Sequence, residues 1–246
     1  MKILFCDIDD TMTTHGVIPR ETFAALWDAH DAGLRVVPVT GRPAGWCDHI
    51  ARMWPVDGVI GENGAFYFRK TPAGITRVHV ADETERAANR AKLDAIRREV
   101  LREIPGCAIA SDQAYREYDL AVDFCEDVPR LPPEQIARIV AIFERRGAVA
   151  KVSSIHVNGW FGDYDKLTMT KRYVRDTDAA DFDASPRDYA FVGDSPNDEP
   201  MFAAFPVSYA VANIAPFLPA LRHKPARIVA ETGGAGFARV IREILN

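Results

Sequence analysis

Four cysteines in 246 residues, Cys6, Cys47, Cys107 and Cys125, are too few and too scattered for a disulfide framework, and no C-x-x-C pair suggests zinc. They read as reduced thiols, mostly packed in the interior. No uninterrupted apolar stretch approaches the roughly 20 residues that cross a bilayer. The apolar start of MKILFCDIDDTM stops after a few residues at Asp7, Asp9 and Asp10, which is not a signal-peptide pattern. A cytoplasmic chain with no membrane partner is the expectation. Basic blocks are missing too: 30 Lys and Arg stand against 35 Asp and Glu, a formal charge of −5, so no nucleic-acid partner is expected. Glycine and proline, 16 each, are too few for collagen or low-complexity sequence, and 48% hydrophobic residues is too many for disorder. What remains is globular and long enough for one large domain or two modest ones.

Short apolar runs recur along the chain at 3–6, 34–39, 58–60, 189–192, 207–211 and 227–229, most followed by turn residues and a helical pattern. Runs apolar throughout suit parallel strands covered on both faces, so the expectation is a doubly wound, Rossmann-like α/β sheet. A first helix is expected from Pro19 or Arg20 to His30, with Gly33 beyond its end. A second starts near Pro43 and carries Trp46, Ile50 and Met53. The middle differs: a charged helix over 83–103, strands near 107–110 and 120–124, a helix over 134–146 after a proline-rich break, then strands at 148–152 and 155–158. Short strand and helix pieces of this kind suggest an α+β unit. The chain is therefore divided into a core of residues 1–82 and 161–246 and an insert of residues 83–160, with hinges at 81–84 and 159–162.

The chemistry concentrates at strand ends. In Asp7-Ile8-Asp9-Asp10-Thr11 the alternation of an extended segment sends Asp7 and Asp9 to the same side, at the sheet edge where open α/β folds bind ligands. Two like charges there are tolerable if a divalent cation lies between them or one holds a proton. The plainer alternative is an acidic turn or helix cap. Thr40-Gly41-Arg42 before Pro43 offers a hydroxyl, a close-approach glycine and a helix N-terminus, a phosphate cradle that also reads as a routine helix start. Gly193-Asp194-Ser195-Pro196-Asn197-Asp198 again puts acids after a strand, and Asp194 and Asp198 would complete an oxygen-ligand site with Asp7 that suits Mg²⁺. Upstream, Asp165-Lys166 supplies a cation for a transferring phosphoryl group. Lys171 lies about 140° around the same helix from Lys166, so both cannot face one site. Lys166 is preferred because a helix start meets the crevice.

D-x-D-x-T, T-G-R, K and G-D-x-x-N-D, in this order and spacing, resemble the haloacid dehalogenase superfamily of phosphohydrolases. Asn63-Gly64-Ala65, and the insert between the second and third motifs, look like subfamily IIB with its α+β cap. The run Gly193-Asp194-Ser195-Pro196-Asn197-Asp198-Glu199-Pro200 is similar to sucrose-phosphate and mannosylglycerate-phosphate phosphatases. The resemblance implies that Asp7 attacks phosphorus, that Asp9 is acid and then base, and that Mg²⁺ is held by Asp7, the main-chain carbonyl of Asp9, and Asp194, with Asp198 binding through water or orienting the others. It implies that Thr40, Gly41, Lys166 and Asn197 hold the phosphate, and that Arg42 and Asn63 reach the substrate, a small phosphorylated metabolite of the sugar-phosphate kind. Asp10 stands where many relatives have Gly. A phosphomannomutase-like hexose phosphomutase and a non-enzymatic phosphoacceptor domain are the competing readings, and a monomer or homodimer is expected. The six histidines have no i, i+4 metal pair and read as surface or packing. Trp160-Phe161 reads as packing at a hinge, and Arg116, Glu117 and Asp119 as a charged solvated face.

Overall fold

A computed structural model describes residues 1–153 and 155–246. The chain runs β1 (Ile3–Cys6), α1 (Arg20–Asp31), β2 (Arg35–Pro38), α2 (Ala44–Met53), β3 (Val59–Gly61), β4 (Phe66–Thr71), β5 (Gly74–His79), α3 (Glu83–Glu103), β6 (Ala108–Ile109), β7 (Leu120–Asp123), α4 (Pro133–Arg145), β8 (Val149–Val152), β9 (His156–Trp160), α5 (Lys166–Asp178), β10 (Tyr189–Gly193), α6 (Glu199–Ala204), β11 (Ser208–Ala210), β12 (Arg227–Ile228) and α7 (Gly233–Leu245).

The central sheet is parallel, in the order β12-β11-β10-β1-β2. Alternation along the buried strands feeds two layers. Leu4, Cys6, Val36 and Val192 pack under α1, α2 and α7, with Leu26, Cys47, Ile50 and Phe237. Ile3, Phe5, Val37 and Phe191 pack under α5 and α6, with Met169, Tyr173, Phe202 and Phe205. This is why these strands are apolar at consecutive positions. The edge is less buried than expected, because β12 is exposed at both residues and Ile228 faces solvent. On α2 the buried stripe is Ala44, Cys47, Ile50 and Ala51, while Trp46 and Met53 are exposed.

The third expected strand lies beside β2 and carries an antiparallel extension. β3 meets the β2 segment through a parallel Val39–Ile60 bridge and a 2.9 Å bond from the Thr40 N–H to the Ile60 carbonyl, and on its other edge pairs antiparallel with β4, which pairs with β5. The β4–β5 hairpin was not foreseen from the sequence, since β5 buries no residue fully and its pattern carries no apolar run.

Residues from α3 to β9 form a separate antiparallel sheet, β6-β7-β9-β8. One face packs on α3 and α4 through Leu120, Val122, Val157, Ile96, Ile139 and Phe143. With period two, the neighbours His156 and Asn158 of β9 point to the opposite face. Gly159 lies inside β9, where a Cβ would stand 2.1 Å from the Phe143 ring, so its glycine serves packing and not a hinge as expected. Gly162, with φ +122°, does require glycine. Trp160 is buried and stacks on Tyr164 at 5.5 Å between ring centroids, the packing role read from the sequence. Cys6, Cys47, Cys107 and Cys125 are thiols outside any disulfide among the described residues. Among the described residues no helix is long and apolar enough to cross a membrane.

Candidate active site

Two strand ends and one helix start converge at the carboxyl edge of the parallel sheet. The Asp7 N–H donates to the Val192 carbonyl, extending the β1–β10 ladder one residue past β1 and holding its side chain at the sheet edge. Asp165 caps α5 by accepting from the Thr168 N–H at 2.7 Å, which starts the helix at Lys166. The buried Lys166 Nζ donates to Asp7 Oδ1 at 2.7 Å and to Asp198 Oδ1 at 2.9 Å. Lys171 instead pairs on the surface with Asp183. The second Asp198 oxygen accepts from the Asp194 N–H at 3.1 Å, and Asp194 Oδ1 accepts from Thr11 Oγ1 at 3.0 Å. Gly193 makes this possible, because a Cβ there would stand 2.3 Å from Asp198 Oδ2.

Asp7, Asp194 and Asp198 offer oxygens within 4.8 Å of one another, all buried. Burial, with the neighbouring Asp198 and Asp9 charges, pushes Asp7 up to about 7 even though Lys166 opposes it. Burial, and then the Asp7 and Asp198 charges, push Asp194 up to about 9. Burial also works against the Lys166 ammonium, but Asp198 and Asp7 outweigh it and hold that proton tightly. One ammonium facing three buried carboxylates leaves negative charge uncompensated, and a hard oxygen donor set of this kind fits a divalent cation such as Mg²⁺. Both Asp198 oxygens are already engaged, so this residue orients Lys166 and Asp194.

The Asp9 carboxylate is held by Arg42, which donates from Nε at 3.0 Å and from Nη2 at 2.7 Å. Arg42 Nη1 also reaches Glu126 Oε1 of the insert at 3.3 Å, and His156 Nε2 lies 2.8 Å from the other Glu126 oxygen. The His156 contact, more than Arg42, draws the Glu126 carboxyl down to about 2 against the effect of burial. Thr40 is buried and its hydroxyl accepts from the Arg42 N–H at 3.1 Å, shaping the turn. Gly41 lies against the Asn63 side chain, 3.3 Å from where a Cβ would be. Asp7, Asp9, Gly41, Arg42, Asn63, Asp194 and Asn197 line one cavity of about 30 Å³, closed from the insert by Arg116, His156 and Asn158. Thr40 and Asp198 stand behind its wall.

Several residues here were not singled out, or were misread, in the sequence. Glu62 is fully buried, and its carboxylate accepts from the N–H groups of Ala44 (3.0 Å), Glu117 (2.9 Å), Tyr118 (2.7 Å) and Asp119 (3.1 Å). It thereby caps α2 and docks the insert on the core at once. Arg116, expected on a solvated face, is buried between Asp112 and Asp119, and its Nη1 donates to the Gly41 carbonyl at 2.9 Å. Asp119 is buried as well. Mutual pairing lets these charges leave water. His156 is buried, as a packing histidine would be, but its Nε2 also faces Glu126 at the cavity. The signal for His156 and Asn158 was their shared face on one strand, but nothing local says that this face looks at the core.

The amino-terminal third of the chain, residues 4–83, matches the family model of the haloacid dehalogenase-like hydrolases. Among curated proteins no relative matches. Solved structures share the fold over the whole chain. A Thermoplasma acidophilum protein superposes with a TM-score of 0.76 at 18% identity, covering 100% of this chain and 99% of its own. The sucrose-phosphatase of Synechocystis, solved with sucrose and phosphate, has a TM-score of 0.67 at 15% identity, covering 98% and 97%. A subclass IIB sugar phosphatase of the same superfamily has a TM-score of 0.67 at 16% identity, covering 99% of each chain.

Proposed function

We propose that this chain is a Mg²⁺-dependent phosphatase that hydrolyses a small phosphorylated metabolite, of the sugar-phosphate class, through an aspartyl phosphate on Asp7. The observation that carries the reading is the buried Lys166–Asp7 contact beside Asp194, at a sheet edge whose amino-terminal segment matches a hydrolase family. The sugar-phosphate class is supported by what two of the similar folds act on.

In this reading an Asp7 oxygen forms the new P–O bond as the ester P–O bond breaks, and Asp9 gives its proton to the departing alkoxide. Asp9 then takes a proton from the water that attacks phosphorus, and Asp7 is released. Mg²⁺ held by Asp7, Asp194 and the Asp9 main-chain carbonyl would offset the charge of the phosphate. Lys166 holds Asp7 in line, Gly41, Asn63 and Asn197 border the phosphate, and Thr40 fixes the turn they rest on. Arg42 orients Asp9. Residues 83–160 act as a cap on a core of residues 1–82 and 161–246, and cap closure excludes water from the intermediate until the alkoxide has left.

Phosphate release from a panel of phosphorylated sugars, acids and nucleotides, with and without Mg²⁺, tests the proposal. Metal-dependent release that Asp7→Asn abolishes is expected. Turnover that persists in Asp7→Asn, or in a metal-stripped sample, overturns it.

A further inference from the structure

On the far side of Asp9 and Arg42 from the small cavity lies a second opening, a groove of about 470 Å³. Its walls are aromatic and apolar: Trp46, Ile50 and Trp54 from α2 and the turn after it, Ile18 from the segment after β1, and Tyr115 from the insert. Trp46 is 43% and Tyr115 59% exposed, which is unusual for such large apolar faces placed side by side. Arg42 lies 4.4 Å over the Trp46 ring, so the residue that holds Asp9 also forms the floor of the groove. Tyr115 reaches this wall only because position 45 is glycine, since a Cβ on Gly45 would stand 2.9 Å from the Tyr115 Cβ. Core and insert therefore build the groove together.

The two openings share Asp9 and Arg42. This matters for where a leaving group goes, given the phosphatase reading on which the inference rests. The oxygen protonated by Asp9 must carry its carbon skeleton away from that carboxyl. On the Asp7 side the room amounts to about two water molecules. On the other side the groove falls within the roughly 300–1,000 Å³ of small-molecule sites. A third opening, between α5, α6 and β8, borders Lys166, Asn63 and Asn197 but not Asp9, so it adjoins the phosphate and not the leaving oxygen.

We propose that the groove is the leaving-group subsite and that Trp46 and Tyr115 set specificity by stacking on a pyranose ring. The aromatic faces match the C–H face of a sugar, and the exposed His49 on the rim is placed for its hydroxyls. Ring-bearing sugar phosphates should then be favoured over esters of the same charge without a ring.

The test compares kcat/KM for glucose 6-phosphate and sucrose 6-phosphate with that for glycerol 3-phosphate and phenyl phosphate. Trp46→Ala, Tyr115→Ala and Gly45→Ala should each lower the sugar-to-glycerol ratio tenfold or more, while Trp27→Ala, an exposed tryptophan on α1, leaves it unchanged. An unaltered ratio in the groove variants, or a preference for the phenyl ester over both sugars, overturns the proposal. A binding arm separates this from failure of the phosphatase reading. In Asp7→Asn protein titrated with sucrose 6-phosphate, tryptophan fluorescence should change, and Trp46→Phe should remove the change. A change that survives Trp46→Phe refutes the groove assignment, whereas an absence of phosphate release from every ester by the wild type refutes only the phosphatase.

Discussion

Glu62→Gln keeps the size of the side chain and turns one of its two oxygens into a donor, and the consequences follow from four contacts. With the amide nitrogen in the place of Oε2, the Tyr118 and Asp119 N–H groups face a donor and lose their acceptor. With the nitrogen in the place of Oε1, Ala44 loses its acceptor and Glu117 keeps only the 3.2 Å contact to the other oxygen. Either orientation strands buried donors, at about 1–3 kcal/mol each, so the expected loss is about 2–4 kcal/mol. That is a large share of the 5–15 kcal/mol typical of a folded domain. For a chain of this length about 2–4 °C of melting temperature is lost per kcal/mol, which gives roughly 5–15 °C. Thermal unfolding measures the loss, and limited proteolysis around residues 81–84 and 116–119 measures whether the insert has come away from the core. Because the carboxylate bridges both units, the variant should be cut faster at these segments than the wild type at equal distance below its melting point. A melting temperature lowered by less than about 2 °C, with unchanged proteolysis, would refute the reasoning.

Asp7→Asn should retain the fold and lose all turnover, checked by circular dichroism and by phosphate release; more than a few per cent of wild-type kcat would exclude Asp7 as nucleophile. Asp194 holds its proton up to about pH 9 in the fold against an ordinary value of 3.8, so the metal-free protein binds more protons folded than unfolded across that window and loses stability as pH rises through it. Mg²⁺ takes the place of that proton, so saturating MgCl₂ should raise the melting temperature more at pH 9 than at pH 6, and equal shifts would contradict the assignment. Gly159→Ala forces a methyl into the Phe143 ring and should destabilise the insert by about 1–3 kcal/mol, read from its unfolding; a neutral substitution would mean that the ring moves freely.

The sequence showed most of what depends on local pattern. The β1, β2 and β10 strands are apolar because both faces are covered, and Asp7, Thr40 and Asp194 follow strand ends, so their position at one sheet edge was legible from order alone. Lys166 was legible as a helix start, since Asp165 is the cap. What was hidden depends on distant pairing. Glu62 looks like a turn residue until the insert loop is placed over it. Arg116 and Asp119 look solvated because a charged tripeptide carries no record of the partners that desolvate it. The β4–β5 hairpin escaped notice because its outer strand buries no residue and carries no apolar run.

The order of strands also bears on how the chain is made. β1 is an inner strand of the parallel sheet, and one of its two neighbours, β10, pairs Tyr189 with Ile3. During synthesis the first strand therefore emerges with one edge unpaired and stays so until most of the polypeptide has followed. By then the antiparallel sheet of the insert, whose strands are near one another in sequence, has every residue it needs. Closing a longer loop costs little more at equilibrium, about 0.6 kcal/mol per doubling, but it slows the search for the pairing. Asp7 leaves the ribosome 159 residues ahead of Lys166, and Asp194 follows later still. The phosphate-handling charges consequently meet only when β10 has joined β1, and no product that stops short of Asp194 carries the set.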